Sequence, residues 1–555
     1  MSYRLLNYKL LNSKGDLSVE QIDFLFVHVP KKSSFYKPLG EFMNITFMPM
    51  GIFAMADYLN RNGYSSQIIH LGVEWIEDTS FSLVEWLKDK KVKVIGMPIH
   101  WHYQAYDTID VAKKIKAQYP GIRIVLGGFT ASFFAKEVLE NFSCIDAVVR
   151  GDGERPVVEF MKALSGGAAD FSPVPNLTWR RGAEIVENPL SYVAEKKDID
   201  ELNFTNLKLL KNYPTYVRSF SFPLAWMKNF SPEKNIKHHS IGTSLFPLAI
   251  GRGCPVNCSF CGGSYEGQLI ISGRKKVIFR EPEKVVESME QAKSYGYQTM
   301  SVCFDPTPKD DRYFQDLFKL IRKKNLGLDW YFECWALPTK RFMEAFKETF
   351  PGKYSILAIS AESSAERVRK LNKGFFYSNQ ELYETLDFMK ERNIYLDMFF
   401  TVGIPHETID EAMQTKQMMA TISKRYKKIL KRMMVWTIQI EPGAPQFLHP
   451  EKYGIVSDRS TFMDFYRSHG GQDSDTYSAL GYYNNTFFTG ADKQYNAHEF
   501  SEEMQKLKCD HFCFLHPDAR KYNTPFKGRV YCTYRSLYWK LKGLDKKPAK
   551  RDVFT

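Results

Sequence analysis

At 555 residues the chain is too long for one ordinary core and suits about three domains, and hydrophobic and charged fractions of 44% and 25% exclude disorder as the default. A net charge of +13, from 76 Lys and Arg against 63 Asp and Glu, permits nucleic acid or an acidic partner, but runs such as the tail from Lys542 read as solvated surface, so nucleic acid is not the expected partner. Nine cysteines, an odd number without repeating spacing, exclude a disulfide framework and point to metal or catalysis in a reducing compartment.

The opening stretch MSYRLLNYKLLNSKGDLS is broken by Arg4, Asn7, Lys9 and Asn12, unlike a secretory signal. No segment approaches the ~20 apolar residues that cross a bilayer. A cytoplasmic protein without a membrane span is expected.

From Ile22 short apolar runs alternate with amphipathic helices. IDFLFVHVP reads as a buried strand, and MGIFAMADYLNRNG sets Ile52, Met55, Ala56 and Leu59 on one helical face that closes at Gly63. SSQIIHLG, VKVIGMPIH, IRIVLGG and IDAVVRGDGE supply four more strands, with the helix AYDTIDVAKKIKAQYPG between the second and third of these. Such alternation predicts a doubly wound, Rossmann-like parallel sheet. Ligands of these sheets sit beyond the carboxyl ends of the strands. The candidate contacts are therefore His102 and Tyr103 in the loop from His100, then Gly127, Gly128, Thr130 and Ser132, then Gly151, Gly153 and Glu154.

Over about residues 21 to 165 this series resembles the cobalamin-binding domain. VIGMPIHWHYQAYDTIDVAKKIK looks like that family's third strand and helix, and IRIVLGGFTAS like its strand ending in a Gly-Gly pair that accommodates the nucleotide tail. Members that ligate cobalt through the protein carry Asp-x-His-x-x-Gly after the first strand, where this chain reads VHVPKKSSFYKPLG with His28 still in the strand. The resemblance thus implies cobalamin with no histidine beneath the cobalt, and His100 and His102 as contacts rather than cobalt ligands. A generic nucleotide-binding or structural α/β domain is the alternative.

Residues 166–245 read as a linker. SPVPNLTWRRGAEIVENPL is expected to form a small hairpin, and the aromatic, basic YPTYVRSFSFPLAWMKNFSPEKNIKHH to pack between domains rather than stack on nucleic acid.

The stretch GRGCPVNCSFCGGS places Cys254, Cys258 and Cys261 just after the apolar run LFPLAIG. Structural zinc takes four protein ligands, and three-ligand catalytic zinc more often uses histidine. A four-iron cluster takes one cysteine per iron, so three cysteines leave one iron open. A zinc knuckle, or a redox pair at Cys258 and Cys261, is the alternative.

Downstream, about six strand–helix pairs run from Phe246 to Ile455. REPEKVVESMEQAKSYG sets Val285, Val286, Met289 and Ala292 at helical spacing, and YQTMSVCFDPT is a strand ending at Asp305. Ser378 with Glu381, and Thr408 with Glu411, open two later helices. The order predicts a partial (β/α)6 barrel with its chemistry at the carboxyl-end loops.

With these residues in view, about residues 246 to 460 resemble the radical SAM enzymes, whose signature is Cys-x3-Cys-x2-Cys. SAESSAERVRKLNKG resembles the family's Glu-Ser strand and Asn-Lys-Gly stop, TVGIPHET its Gly-x-Pro-Gly-Glu-Thr turn, and IQIEPGAP its last Pro-Gly-Thr-Pro strand. The resemblance implies a [4Fe-4S] cluster on Cys254, Cys258 and Cys261 whose open iron is chelated by S-adenosylmethionine (SAM). It implies Phe260 as the usual aromatic, Ser360 and Glu362 near the SAM ribose or amino group, Gly403 and Pro405 shaping that pocket, and Ile440 near adenine. His406 and Ala444 stand where glycine and threonine are usual. The family's Gly-Gly-Glu motif is absent, and Asp305 is the replacement candidate, with a plain helix N-terminal acid as its other reading.

Residues 457–555 are expected to form an irregular cap over the barrel mouth. Within it Cys509, His511, Cys513 and His516 read as packing with incidental thiols rather than zinc or a second cluster. The domain expectation is 1–165, 166–245, 246–456 and 457–555.

Together the resemblances imply a cobalamin-dependent radical SAM methyltransferase. The cluster would cleave SAM to a 5'-deoxyadenosyl radical that abstracts hydrogen from an unactivated carbon, and methylcobalamin would supply the methyl group. The implied partners are a small-molecule or peptide substrate and a flavodoxin- or ferredoxin-type electron donor. The alternatives are ring formation or rearrangement with the same cofactors, action on RNA or protein side chains, and a non-catalytic zinc and nucleotide-binding module.

Overall fold

Nine residues, Glu20–His28, form β1, and the apolar run from Phe24 is buried on both faces, as a central parallel strand must be. In the computed structural model, which describes residues 20–30, 48–78, 80–219, 245–305, 312–437, 440–455, 457 and 459–470, β1 pairs in parallel with β2 (Ser66–His70) and β3 (Lys90–Pro98). β4 (Arg123–Gly127) and β5 (Ala147–Val149) continue the parallel order. The expected linker hairpin forms as β6 (Leu177–Arg181) and β7 (Glu184–Glu187), and it joins this same sheet antiparallel to β5. The strand order is β2-β1-β3-β4-β5-β6-β7, a doubly wound sheet whose order reverses between β1 and β3, the position at which such sheets open a ligand crevice.

Alternate residues of the strands feed two cores. Phe24, Phe26, Val94 and Val125 pack with Ile52, Phe53 and Ala56 of α1 (Gly51–Arg61). Leu25, Val27, Ile95 and Leu126 pack with Ile109, Ala112 and Ile115 of α2 (Ala105–Gln118). The first core runs on through α3 (Glu154–Ser165) into the second domain without a break, so the two domains are welded by shared apolar burial.

The second domain holds a short ladder, β9 (Gly251–Arg252) against β10 (Ile278–Phe279), and an open six-stranded parallel sheet. Its strands are β8 (Leu245–Pro247), β11 (Thr299–Phe304), β12 (Asp329–Cys334), β13 (Ile356–Glu362), β14 (Tyr395–Val402) and β15 (Leu430–Thr437), ordered β15-β14-β13-β12-β11-β8. The six expected strands are all present. Helices α4 (Tyr265–Ser272), α5 (Pro282–Ser294), α6 (Arg312–Lys324), α7 (Lys340–Thr349), α8 (Glu366–Asn372), α9 (Asn379–Glu391) and α10 (Ile409–Arg425) fall between the strands. Met289, Phe314, Phe346, Leu386 and Ile422 from five of these helices cover one face, against Val302, Phe332, Leu357 and Met398. Both expected capping boxes form, at Ser378 and Thr408.

The opposite, inner face has few apolar groups, Leu245, Tyr331, Ile356, Ala358 and Phe399. The last described helix, α11 (Phe462–Gly470), lies on the front domain. Phe465 meets the His102 ring at 5.0 Å, and Glu137 accepts from the Phe462 backbone at 2.9 Å. Among the described residues no helix is long and apolar enough to cross a membrane.

Candidate functional site

Between β9 and α4 the chain makes a loop that carries Cys254, Cys258 and Cys261, and a second loop after α8 holds it in shape. Ser259 donates from Oγ to Asn372 Oδ1 at 2.6 Å and from its backbone to the Asn372 carbonyl at 2.8 Å. The Gly374 N–H points at Cys258 Sγ, 3.3 Å away. A Cβ on Gly374 would stand 2.4 Å from Cβ of Val256, so only glycine brings these loops together. Phe260 packs on Ala365, Val368 and Ile404, locking the loop to α8 and to the turn after β14.

That turn has its own staple. Gly403 lies at φ +83, and its N–H donates to Glu407 Oε2 at 3.1 Å, while Ser363 Oγ donates to Oε1 at 3.0 Å. Pro405 gives its carbonyl to Asn372 Nδ2 at 2.8 Å. His406 takes φ +64, the left-handed backbone that glycine takes most easily, at the position where the resemblance leads one to expect glycine. Burial pushes the Glu407 carboxyl up to about 8.

The cysteines fit an iron–sulfur cluster by their chemistry. All three are free and half-buried. Burial raises their pKa values, that of Cys254 to about 11, and charge on Cys258 raises both Cys254 and Cys261 further. A thiolate trio in this loop therefore needs cations beside it, which iron would supply, and an N–H aimed at a ligand sulfur is the support a cluster uses. Among the described residues no three His, Cys, Asp or Glu side chains close on a single ion-sized point. A cluster asks instead for one sulfur at each of three irons.

Around this loop stand the other barrel candidates. Asp305 is buried at the end of β11, near enough to raise Cys254. Ser360 is half-buried and precedes a register shift in β13. Glu362 follows the shift at φ +59, which turns its carboxylate onto Lys373 Nζ at 2.9 Å. Burial disfavours the Lys373 ammonium, but Glu362 holds its pKa above the ordinary value. Ile440 belongs to the core shared with Leu126 and Phe134 of the front domain.

In the front domain the candidate loops gather at the carboxyl ends of the strands. The His100 carbonyl accepts from Thr130 Oγ1 at 3.2 Å. Gly128, at φ +92, has no room for a Cβ, which would lie 2.9 Å from the His100 and Ile99 backbone. Gly127 faces nothing closer than 3.7 Å and leaves space beside it. Burial lowers His100 to about 4, so its imidazole is neutral. At the end of β1 the buried His28 ring lies 4.5 Å from that of His70, tilted to it by 45°, and among the described residues neither of its nitrogens has a hydrogen-bond partner. A cradle of glycine backbone, neutral imidazole and orphaned ring nitrogens at the strand-order reversal fits a large polar cofactor. His102 and Tyr103 are turned along the same loop, with His102 buried.

The crevice end and the cysteine loop adjoin. Glu441 accepts from the Gly262 N–H at 2.9 Å, immediately after Cys261. Tyr103 has its pKa raised by burial and then by the same Glu441, so Tyr103, Glu441 and Cys261 are neighbours. Ser132 Oγ accepts from the Gly151 N–H at 3.1 Å. Gly151 meets Ser272 of α4 so closely that a Cβ would lie at 2.8 Å. Gly153 packs against Met55 and precedes Glu154. Glu154 and Asp152 both hold Arg252, and Arg274 also binds Asp152. The third candidate loop thus spends its carboxylates on the barrel.

Sequence reasoning missed Arg252, Lys373, Glu407 and Glu441. Lys373 and Glu407 lie inside motifs already singled out, and their burial was the absent signal. Arg252 and Glu441 also lie inside quoted stretches, GRGCPVNCSFCGGS and IQIEPGAP, but their partners come from other parts of the chain. Cys509, His511, Cys513 and His516 lie outside the described residues, as does most of the aromatic stretch before Ser244.

The family model described as "Radical SAM superfamily" matches residues 248–419, and that described as "B12 binding domain" matches residues 44–161. An uncharacterized methyltransferase of Pyrococcus horikoshii is 23% identical over 70% of this chain and 76% of its own length. The anaerobic magnesium-protoporphyrin IX monomethyl ester cyclase of Cereibacter sphaeroides is 26% identical over 57% of this chain and 47% of its own length. The hopanoid C-3 methylase of Methylococcus capsulatus is 23% identical over 62% of this chain, and the match spans 59% of that enzyme. The fold is similar to that of the cobalamin-dependent SAM radical enzyme OxsB, solved with aqua-cobalamin and S-adenosylmethionine, at a TM-score of 0.58 and 12% identity over 95% of this chain and 72% of that one.

Proposed function

We propose that this chain, a radical SAM enzyme with a B12-binding domain ahead of its barrel, transfers a methyl group to an unactivated carbon of a small molecule or peptide. The observation that carries the reading is the run from Tyr103 through Glu441 to Cys261, which sets the carboxyl end of the cobalamin-type sheet against the cysteine loop. Names of the relatives favour methyl transfer in two cases of the three reported.

When bound, the cluster and SAM supply radical chemistry and cobalamin supplies methyl-transfer chemistry. The protein holds, orients and shields. Cys254, Cys258 and Cys261 would ligate the cluster, with the Gly374 N–H supporting Cys258. Glu362 and Asp305, on the carboxyl ends of β13 and β11, would meet polar groups of SAM. The Gly403 turn, stapled by Glu407, walls that space. His100 to Tyr103 and Gly127 to Ser132 would cradle cobalamin, and α11 covers His102. Shared apolar burial between the domains would hold the two cofactor sites in fixed relation, a contribution to rate through orientation. A flavodoxin- or ferredoxin-type donor, commonly acidic, suits the +13 charge.

The test is anaerobic turnover with methyl-labelled SAM and candidate metabolites, read by mass spectrometry. Label in the product is the expected result. Product without label turns the reading to ring formation or rearrangement, the chemistry named for the cyclase relative. A colourless protein that holds zinc and yields no deoxyadenosine overturns the enzyme reading altogether.

A further inference from the structure

Among the carboxylates on the inner face of the second sheet, two have a cation of their own. Glu362 pairs with Lys373 at 2.9 Å. Asp397 pairs with Arg432 at 2.8 Å, and the same guanidinium donates to Tyr331 Oη at 2.8 Å. Asp329, at the amino end of β12, accepts from Ser355 at 2.5 Å, and Glu333 stands at the carboxyl end of the same strand. Glu333 lies in register between Cys303 of β11 and Ala358 of β13.

Trp330, Phe332 and Cys334, alternate residues of β12, belong to the core under the helices. Tyr331 joins the inner-face group instead, and Glu333, two residues on, shares that face. Among the described residues no side chain or backbone group makes a hydrogen bond or ion pair with the Glu333 carboxylate. Protein surrounds it, and burial raises its carboxyl pKa against an opposing pull from Arg432. Yet Glu333 keeps accessible surface, and Cys303 beside it is exposed. Two side chains ringed by protein but still accessible line a hollow. Cys261 contributes to raising the Cys303 thiol, so this hollow reaches toward the cysteine loop.

A charge inside a protein is held only where a partner compensates it. Asp397 and Glu362 show how this sheet provides one, whereas among the described residues no cation is paired with Glu333, and Arg432 and Lys373, each engaged with another carboxylate, act on it only at a distance. We infer that Glu333 is a recognition group for a cationic nitrogen, an ammonium or guanidinium, on a molecule that enters this hollow. The inference rests on reading the barrel as the catalytic domain, and the nitrogen belongs either to the substrate or to the α-ammonium of SAM.

The test uses the anaerobically reconstituted full-length chain, its Glu333→Gln and Glu333→Asp variants, and three measurements. Cys303 is modified with a cationic and with an anionic alkyl methanethiosulfonate, and the rates are followed by peptide mapping. SAM affinity is measured by equilibrium dialysis, and iron content and visible absorption report the cluster. In the parent chain the cationic reagent modifies Cys303 about tenfold faster than the anionic one, as one carboxylate at this range allows. The preference disappears in Glu333→Gln and survives in Glu333→Asp. SAM affinity that falls about tenfold in Glu333→Gln assigns the nitrogen to SAM, and unchanged affinity assigns it to the substrate. A preference that persists in Glu333→Gln overturns the inference. Failure to hold iron in all three chains overturns the radical SAM reading instead, while the labelling rates still report on Glu333.

Discussion

Arg252, two residues ahead of Cys254, donates to Asp152 at 2.9 Å across the boundary between the two domains. The same guanidinium binds Glu154, and Arg274 takes the other oxygen of Asp152. The start of the cysteine loop is thereby pinned to the loop after β5, which begins α3.

Removing one partner of such a buried group leaves charge without compensation. Arg252→Met is expected to cost on the order of 3 kcal/mol. The readout is the urea midpoint of the full-length chain, and the double variant Arg252→Met with Glu154→Gln should recover part of the loss. A midpoint unmoved by Arg252→Met would show that shared apolar burial alone holds the domains.

Gly374→Ala places a methyl 2.4 Å from Cβ of Val256, a branched side chain rooted in the cysteine loop. One loop must withdraw, and the N–H contact to Cys258 goes with it. Iron retained per chain after anaerobic purification is expected to drop severalfold while the far-UV circular dichroism stays that of the parent.

Cys258→Ala removes a proposed cluster ligand, and iron content with its brown absorption should fall to background. Cys144→Ala, in the front domain, is the control and should keep both. Equal iron in the two variants would place the metal elsewhere.

Glu407 gives a pH prediction with a definite sign. Its carboxyl is raised from 4.5 to about 8 by burial, so between these values the folded chain keeps a proton that the unfolded chain has lost. Its contribution to stability is therefore fully present below about pH 4.5 and lost as pH rises toward 8, a change of about 3 kcal/mol by pH 7. Glu407→Gln should match the parent near pH 5, exceed its thermal midpoint near pH 8, and flatten the slope between them.

Local pattern sufficed wherever the physics is local. Apolar alternation located the parallel strands, Ser378 and Thr408 announced their helices, and the spacing of Cys254, Cys258 and Cys261 pointed to metal or redox chemistry before any contact was known. Asp305 shows where such reading stops: two roles were open at that position, and its place beside Cys254 depends on how β11 aligns with a loop some fifty residues earlier. Ile440, expected near adenine, lies in a core with the front domain because packing between domains is invisible to periodicity.

By itself the sequence determined two parallel-sheet domains and a trio of thiols, since side-chain alternation and ligand spacing are properties of neighbouring residues. Only the tertiary structure decided that Gly374 would face Cys258, that Glu441 would meet Gly262, and that among the described residues Glu333 would have no paired cation where Asp397 and Glu362 have theirs. Those relations join residues from tens to nearly two hundred positions apart. They follow from strand register and domain docking, which the whole chain settles at once by burying its apolar surface and pairing the charges that burial traps.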